Sequence, residues 1–96
     1  MEFLVELETH VPDGTAQAAV NDRKNAEAAA SAKLGQQGHL LRFWRPTVVS
    51  GRAVGLHRAD SAPQLEGLLS ALPMHDWLRV TVTPLEPYPN DPGTPR

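Results

Sequence analysis

The chain of 96 residues is long enough for one small domain, which buries only a modest share of its surface. It has no cysteine, which excludes disulfides and thiolate metal sites and fits a cytoplasmic location. Nine basic residues against eleven acidic ones leave a net charge of -2, too balanced for a nucleic-acid-binding surface. No apolar run approaches the roughly 20 residues that a membrane span needs, and the acidic N-terminal segment lacks the basic start of a signal peptide.

The first half of the chain predicts a strand, a long helix and a second strand. In the first strand, alternate apolar residues share one face: Phe3, Val5 and Leu7. The alanine-rich segment from Ala16 to about Gln36 favours a helix. Either Asp13 or Thr15 is expected to cap it, by accepting a bond from a free backbone N–H. The second strand is predicted from His39 to Arg45, with apolar residues on both faces.

The second half predicts a hairpin partner, a second helix and a last strand. A third strand from Arg52 to Ala59 follows the second after a short loop, so the two should be antiparallel. Four leucines then form one face of a helix: Leu65, Leu68, Leu69 and Leu72. Asp60 or Ser61 is its predicted cap, and Pro73 cannot continue it. Alternating residues predict the final strand from about Trp77 to Thr83.

The element order βαββαβ predicts an α+β, ferredoxin-like sandwich over residues 1–84, with both helices on one face of a four-stranded antiparallel sheet. The proline-rich tail, residues 85–96, is expected to be extended or disordered and to join no central ladder. The other sheet face would then be bare, with Leu4, Leu40 and Trp44 pointing outward. Because an exposed apolar face usually marks an interface or ligand site, we expect a dimer or larger assembly with a site near the subunit boundary.

Charged residues that could carry chemistry lie on the first helix and second strand. Arg23, Lys24 and Glu27 are close enough along a helix for both cations to reach the carboxylate. For an arbitrary helix, a solvated surface ion pair is the stronger interpretation. A guanidinium at Arg42 or Arg45 could grip a substrate carboxylate through two parallel hydrogen bonds.

Other catalytic classes find no support in the residue spacing. The histidines lack metal-ligand spacing, so a metal enzyme is not expected. No glycine-rich phosphate loop and no nucleophilic triad can be argued. His75 and Asp76 precede the last strand, where they form either an acid–base pair beside a pocket or an ordinary variable loop.

The segment from Leu65 to Pro92 resembles the end of the muconolactone delta-isomerases, which are small ring-isomerising enzymes of aromatic breakdown. The order is helix, Leu-Pro-Met, aromatic, strand, Thr-Pro-Leu and Pro-Asn-Asp-Pro. Further matches fall at Phe3–Leu7, at Lys24–Glu27 (a Lys-x-x-Glu pattern) and at Trp44–Arg45. The chain departs from the family at residues 75–77, His-Asp-Trp, where an aromatic residue and a proline are usual. Its third strand also lacks the family's Tyr-Ala-Asn run.

The resemblance implies a cofactor-free isomerase that shifts the C=C bond of muconolactone to give 3-oxoadipate enol-lactone. It implies Glu27 as the proton shuttle, with Lys24 as its electrostatic partner or oxyanion donor. Arg45 or Arg42 would bind the substrate carboxylate, and Trp44 and Trp77 would form pocket walls. His75, in the loop that departs from the family, is a further candidate for substrate binding. The implied partners are a small-molecule substrate and further copies of the chain, from dimer to decamer, with no nucleic acid and no membrane.

Two alternatives stay open at this point. One is an enzyme of the same fold that acts on a different small carbonyl or cyclic substrate in secondary metabolism. The other is a non-catalytic, oligomeric ligand-binding protein.

Overall fold

The computed structural model describes residues 1–93, and the last three residues of the predicted tail lie outside the described part. The elements are β1 (Glu2–Thr9), α1 (Gln17–Gln36), β2 (Leu40–Trp44), β3 (Arg52–Arg58), α2 (Ala62–Ser70) and β4 (Leu78–Leu85). A single 3₁₀ turn, His75–Trp77, precedes β4. This order is the βαββαβ pattern that the sequence predicts.

The four strands form one antiparallel sheet in the order β2-β3-β1-β4. Both helices cover the same face, because one core cluster joins Phe3 and Val5 of β1 to Leu34 of α1 and to Leu65 and Leu69 of α2. Burial of a large side chain stabilises by about 1.5–3 kcal/mol. The α+β, ferredoxin-like architecture predicted from the sequence is therefore confirmed.

A β-bulge in β2 changes which residues face the core. Leu40 pairs with His57 and Arg42 with Leu56, so Leu41 is an extra residue between two paired positions. The bulge turns Leu40 toward the helices, where it packs against the core. The prediction that Leu40 points outward is wrong, because simple alternation along a strand takes no account of an inserted residue.

The open face of the sheet is the face turned away from both helices. In β3, Gly55 and His57 are buried on the core face, so Val54 lies on the open face. Trp44 pairs with Val54 and is 44% exposed. Leu4 and Leu56 pair on the same open face. Ion pairs flank this apolar strip at both ends: Glu2 with Arg58 at 3.0 Å and Glu8 with Arg52 at 3.3 Å.

The two helices begin differently. Ser61 caps α2 as predicted, by accepting a 3.2 Å bond from the backbone N–H of Gln64. The cap residue of α1 is Ala16, which has no capping side chain. The Thr15 hydroxyl instead donates to the carbonyl of Pro12 at 2.6 Å, so neither predicted residue caps α1.

Within residues 1–93, no helix is long and apolar enough to cross a bilayer.

The last strand is longer than predicted. β4 continues through Pro84 to Leu85, and Pro84 pairs with Phe3. A proline cannot donate to a ladder, but β4 lies at the edge of the sheet, where one side of the strand needs no donor.

Candidate functional site

Two charged residues lie on the face of α1 that is turned toward the rest of the domain. Residues at spacings of three and four form this inward stripe: Val20, Arg23, Glu27, Ala30 and Leu34. Val20 and Leu34 are the buried residues of α1, and the three between them are half-buried. Because charge on such a stripe is partly removed from water, Arg23 and Glu27 need polar partners.

The partner of Glu27 is a backbone amide. The N–H of Met74 donates to Oε1 of Glu27 at 3.1 Å. Burial raises the pKa of the Glu27 carboxyl above its ordinary value of 4.5, and the bond from Met74 offsets part of that rise. Glu27 is thus a sheltered carboxylate with one oxygen fixed in place, as a general base requires.

Arg23 contacts the same segment, the Pro73–Trp77 loop, in three ways. Its Nη1 donates to the carbonyl oxygen of Pro73 at 2.9 Å and to Oδ1 of Asp76 at 2.6 Å. Its Cζ lies 4.6 Å from the ring centroid of Trp77, a cation–π arrangement. The bond from Arg23 lowers the pKa of the Asp76 carboxyl below its ordinary value of 3.8.

Lys24 is placed differently from its predicted role. It is exposed and lies off the inward stripe of α1. Across residues 1–93 it forms no ion pair with Glu27, and Arg23 pairs with Asp76 instead. The structure therefore does not bring Lys24 and Glu27 together, and the catalytic role of Lys24 stays a prediction.

The two predicted binding residues of the 3₁₀ turn face different surroundings. Trp77 is buried in a small apolar cluster with Val20 and Met74, next to the Glu27 contact. His75 is exposed and borders a groove of about 700 Å³ between α2 and β4, with Val80 and Val82 among its lining residues. Trp77 is thus close to Glu27 through the loop, while His75 opens onto a separate surface.

The other three predicted binding residues lie around β2. The Cζ of Arg42 is 5.1 Å from the ring centroid of Trp44, and their strand partners place both on the open face. Arg45 is exposed and borders the connection formed by residues 46–50. Because the sheet separates its open face from the helices, one chain does not gather Arg42, Trp44 and Glu27 around a single ligand.

Sequence spacing did not identify the contacts of Arg23 with Asp76 and Pro73. The signal available was the position of Arg23 on the same stripe as Val20 and Glu27, which marks a cation directed inward. Its partner Asp76 is 53 residues away, and no local pattern connects the two.

In the described part of the chain, no group of three His, Asp or Glu residues could hold a metal ion.

The sequence of the chain is similar to one family over nearly its full length. The family described as muconolactone delta-isomerase matches residues 1–91. Muconolactone Delta-isomerase 1 of Acinetobacter lwoffii is 28% identical over 90 residues, which cover 94% of this chain and 93% of that protein. Muconolactone Delta-isomerase of Cupriavidus pinatubonensis is 30% identical over 91 residues, which cover 94% and 97%.

Two solved structures share the fold. A crystal structure of muconolactone isomerase superposes with a TM-score of 0.90 at 20% identity, covering 99% of this chain and 98% of that one. A Burkholderia phenoliruptrix 5-chloro-2-hydroxyhydroquinone dehydrochlorinase in complex with 2,5-dihydroxybenzoquinone superposes with a TM-score of 0.64 at 14% identity, covering 90% and 94%. The match to the family over residues 1–91 confirms the resemblance noted in the sequence and sets the non-catalytic alternative aside. The chain belongs to the muconolactone delta-isomerase family and is an isomerase.

Proposed function

We propose that this isomerase acts in aromatic catabolism and converts muconolactone to 3-oxoadipate enol-lactone, without a cofactor, by removing and returning one proton. The observation that carries the proposal is the carboxylate of Glu27, half-buried on the inward stripe of α1 and held by the Met74 N–H at 3.1 Å. Family membership supplies the substrate class. The absence of cysteine is compatible with a cytoplasmic location, which we also propose.

The reaction needs only a base of suitable strength and a means of stabilising negative charge. In our proposal, the Glu27 carboxylate removes the acidic ring proton, and the electron pair spreads over the lactone carbonyl as a dienolate. The protonated carboxyl then returns the proton to the carbon next to that carbonyl, so that substrate and product are isomers. The raised pKa of Glu27 favours this role, because a base titrating nearer the working pH both accepts and returns a proton readily.

A cation is needed for the developing oxyanion and for the substrate carboxylate. Lys24 is retained as a proposed oxyanion donor, since its exposed side chain starts three residues from Glu27 on the same helix. Arg42 or Arg45 is proposed to bind the substrate carboxylate. Because Arg42 lies on the open face, this role requires that the arginine come from a second copy of the chain.

Self-association is therefore part of the proposed function. The open face presents Trp44, 44% exposed, beside Val54 and Leu56. Contiguous apolar surface of this kind favours an interface. A copy seated there would carry its own inward-facing Glu27, so a site shared between copies could combine the two groups of predicted residues. Assemblies from dimer to decamer are all compatible with this arrangement.

A different small cyclic carbonyl substrate is the second candidate. It is favoured by the ion pair between Arg23 of α1 and Asp76 of the loop, which lies next to Glu27. The assay that separates the two is incubation with muconolactone while ultraviolet absorbance is followed. We expect turnover by the native chain and a loss of about 10²–10⁴-fold in Glu27→Gln, since the amide cannot accept the proton. Asp22→Asn, an exposed change on the same helix, is the control. An inactive native chain would reject muconolactone as substrate, and a fully active Glu27→Gln would remove Glu27 from the mechanism.

A further inference from the structure

Two residues of α1, four positions apart, bind one loop of five residues. Glu27 accepts from the backbone of Met74, and Arg23 donates to the backbone of Pro73. One helix face thus supplies a donor and an acceptor to the two ends of the same peptide group, which links Pro73 to Met74. The loop is fixed to α1 by polar contacts at the place where Glu27 is sheltered.

The apolar contacts of this loop form a small cluster of their own. Its buried side chains, Met74 and Trp77, belong to a small cluster with Val20 that is separate from the main core. α1 contributes little else here, because Val20 and Leu34 are its only buried residues. The guanidinium of Arg23 stacks on Trp77 and therefore closes the small cluster on its α1 side.

We propose that Arg23 is a positioning residue that acts on Glu27 through the Pro73–Trp77 loop. By holding the loop against α1, it keeps the Met74 N–H on Oε1 of Glu27 and keeps water away from the carboxylate. The catalytic consequence rests on the proposed function, whereas the structural coupling between Arg23 and Glu27 does not.

The three contacts of Arg23 differ in how strongly they are expected to hold the loop. Asp76 is exposed, and an exposed ion pair is screened by water and ions. The bond to the Pro73 carbonyl and the stack on Trp77 are less exposed to solvent. We therefore expect Asp76→Asn to loosen the loop less than a change at Arg23. The other ionisable side chains of this region, His75 and Lys24, are exposed. Within residues 1–93 they form no hydrogen bond or ion pair with the side chains of Arg23 and Glu27.

The test uses Arg23→Met and Arg23→Lys, with Arg58→Met as a matched control. Arg58 also forms an exposed ion pair, with Glu2 at 3.0 Å, but lies in β3 and does not touch the loop. Lysine retains the charge of Arg23 but lacks the planar fork that serves two acceptors and stacks on a ring. The first measurement is a carboxyl-carbon NMR titration of Glu27, and the second is hydrogen exchange at the Met74 amide.

Two effects set the Glu27 pKa: burial raises it, and the hydrogen bond from Met74 lowers it by a smaller amount. Release of the loop removes both effects. In both Arg23 variants we expect the Glu27 pKa to fall toward 4.5 and Met74 exchange to become at least tenfold faster. Exchange at the Val5 amide, in the core strand β1, should keep its native rate, as should all readouts in Arg58→Met. An unchanged Glu27 pKa with unchanged Met74 exchange overturns the proposal. So does equal acceleration at Met74 and Val5, which would show a purely global effect on stability.

Kinetics then separate this inference from the proposed function. In an active enzyme, the acid limb of kcat/KM for muconolactone should move to lower pH by the same interval as the NMR titration of Glu27. If the native chain does not turn over muconolactone, the proposed function fails while the NMR result still decides the role of Arg23. If the native chain is active and the acid limb stays fixed in Arg23→Met, the positioning role fails alone.

Discussion

The imidazole of His57 lies directly over Gly55 on the core face of β3. A Cβ built on Gly55 would approach Cε1 of His57 to 2.7 Å, and it would lie 3.4 Å from a methyl group of Leu40. Only a residue without a side chain leaves room for the buried ring at this position. The glycine therefore fixes where the histidine sits, and two of the predictions below depend on this pair.

Gly55→Ala should destabilise the domain, because the new methyl group displaces a buried ring that has little space to move. We expect a loss of about 1–3 kcal/mol in the free energy of unfolding. Gly67→Ala is the matched control in α2, where an added Cβ meets nothing within 4 Å. There, alanine should stabilise the helix by about 0.4–1 kcal/mol. Denaturant unfolding measures both values, and a neutral Gly55→Ala would contradict the close contact.

Stability should fall as pH is lowered through about 6.5, the ordinary pKa of histidine. Burial lowers the pKa of the His57 imidazole in the folded state, so the unfolded chain takes up a proton first. Between 6.5 and the lowered pKa of the folded state, protonation favours the unfolded chain by up to about 1.4 kcal/mol per pH unit.

His57→Met should flatten the slope, measured by unfolding between about pH 5 and 8. His10→Gln, at an exposed position, is the control and should keep the native slope. A native slope in His57→Met would assign the effect to another group.

The rate of isomerisation should decline at acid pH with a midpoint above 4.5. The proposed base must be ionised to accept a proton, and burial raises the Glu27 pKa above that value. The profile of kcat/KM against pH reports this group in the free enzyme. A midpoint at or below 4.5 would contradict a base whose pKa is raised by burial, as that of Glu27 is.

Glu27→Gln should unfold no more easily than the native chain near neutral pH. The folded state raises the Glu27 pKa, so its ionised form reduces stability above that pKa and this penalty disappears as pH falls below 4.5. Glutamine keeps an oxygen for the Met74 N–H and carries no charge. We expect a small gain in the free energy of unfolding, because the group is only half-buried and water screens part of the penalty. The gain should shrink with acidification, and a larger gain at acid pH would contradict the direction of the shift.

Trp44→Glu should weaken the proposed self-association. The change places a charge on the apolar part of the open face, and burying an unpaired charge in an interface is strongly unfavourable. Sedimentation velocity should show a smaller species than for the native chain. Val48→Glu, 89% exposed in the β2–β3 connection, is the control and should keep the native assembly. An unaltered assembly in Trp44→Glu would move the interface off the open face.

Much of the fold was predictable because it follows from local periodicity. Alternation in β1 and the leucine stripe of α2 each identify a buried face. The order of strands and helices, βαββαβ, then indicates the ferredoxin-like topology. The bulge at Leu41 was not predictable, since Leu40, Leu41 and Phe43 are all apolar and fit either register. The end of β4 was also missed, because Pro84 looks like a strand terminator unless the strand is known to lie at an edge.

The candidate site was predictable only in part. Glu27 could be identified through its family pattern, and its position on a stripe with Val20 and Leu34 indicates an inward direction. The hydrogen-bond partner of Glu27 could not be predicted, because the donor is the backbone amide of Met74 and no side-chain pattern identifies a backbone donor. The partner of Arg23 was equally hidden, since several carboxylates compete for one guanidinium and only tertiary structure selects Asp76.

The proline in β4 also bears on how copies of this chain can avoid fibril formation. An exposed strand edge can template the addition of further strands without limit, as in cross-β polymers. Pro84 offers such an incoming strand no amide hydrogen, and Pro87 and Pro89 follow closely in the chain. The addition of strands along the β4 edge is thus interrupted, which favours closed assemblies over open-ended polymers at high protein concentration.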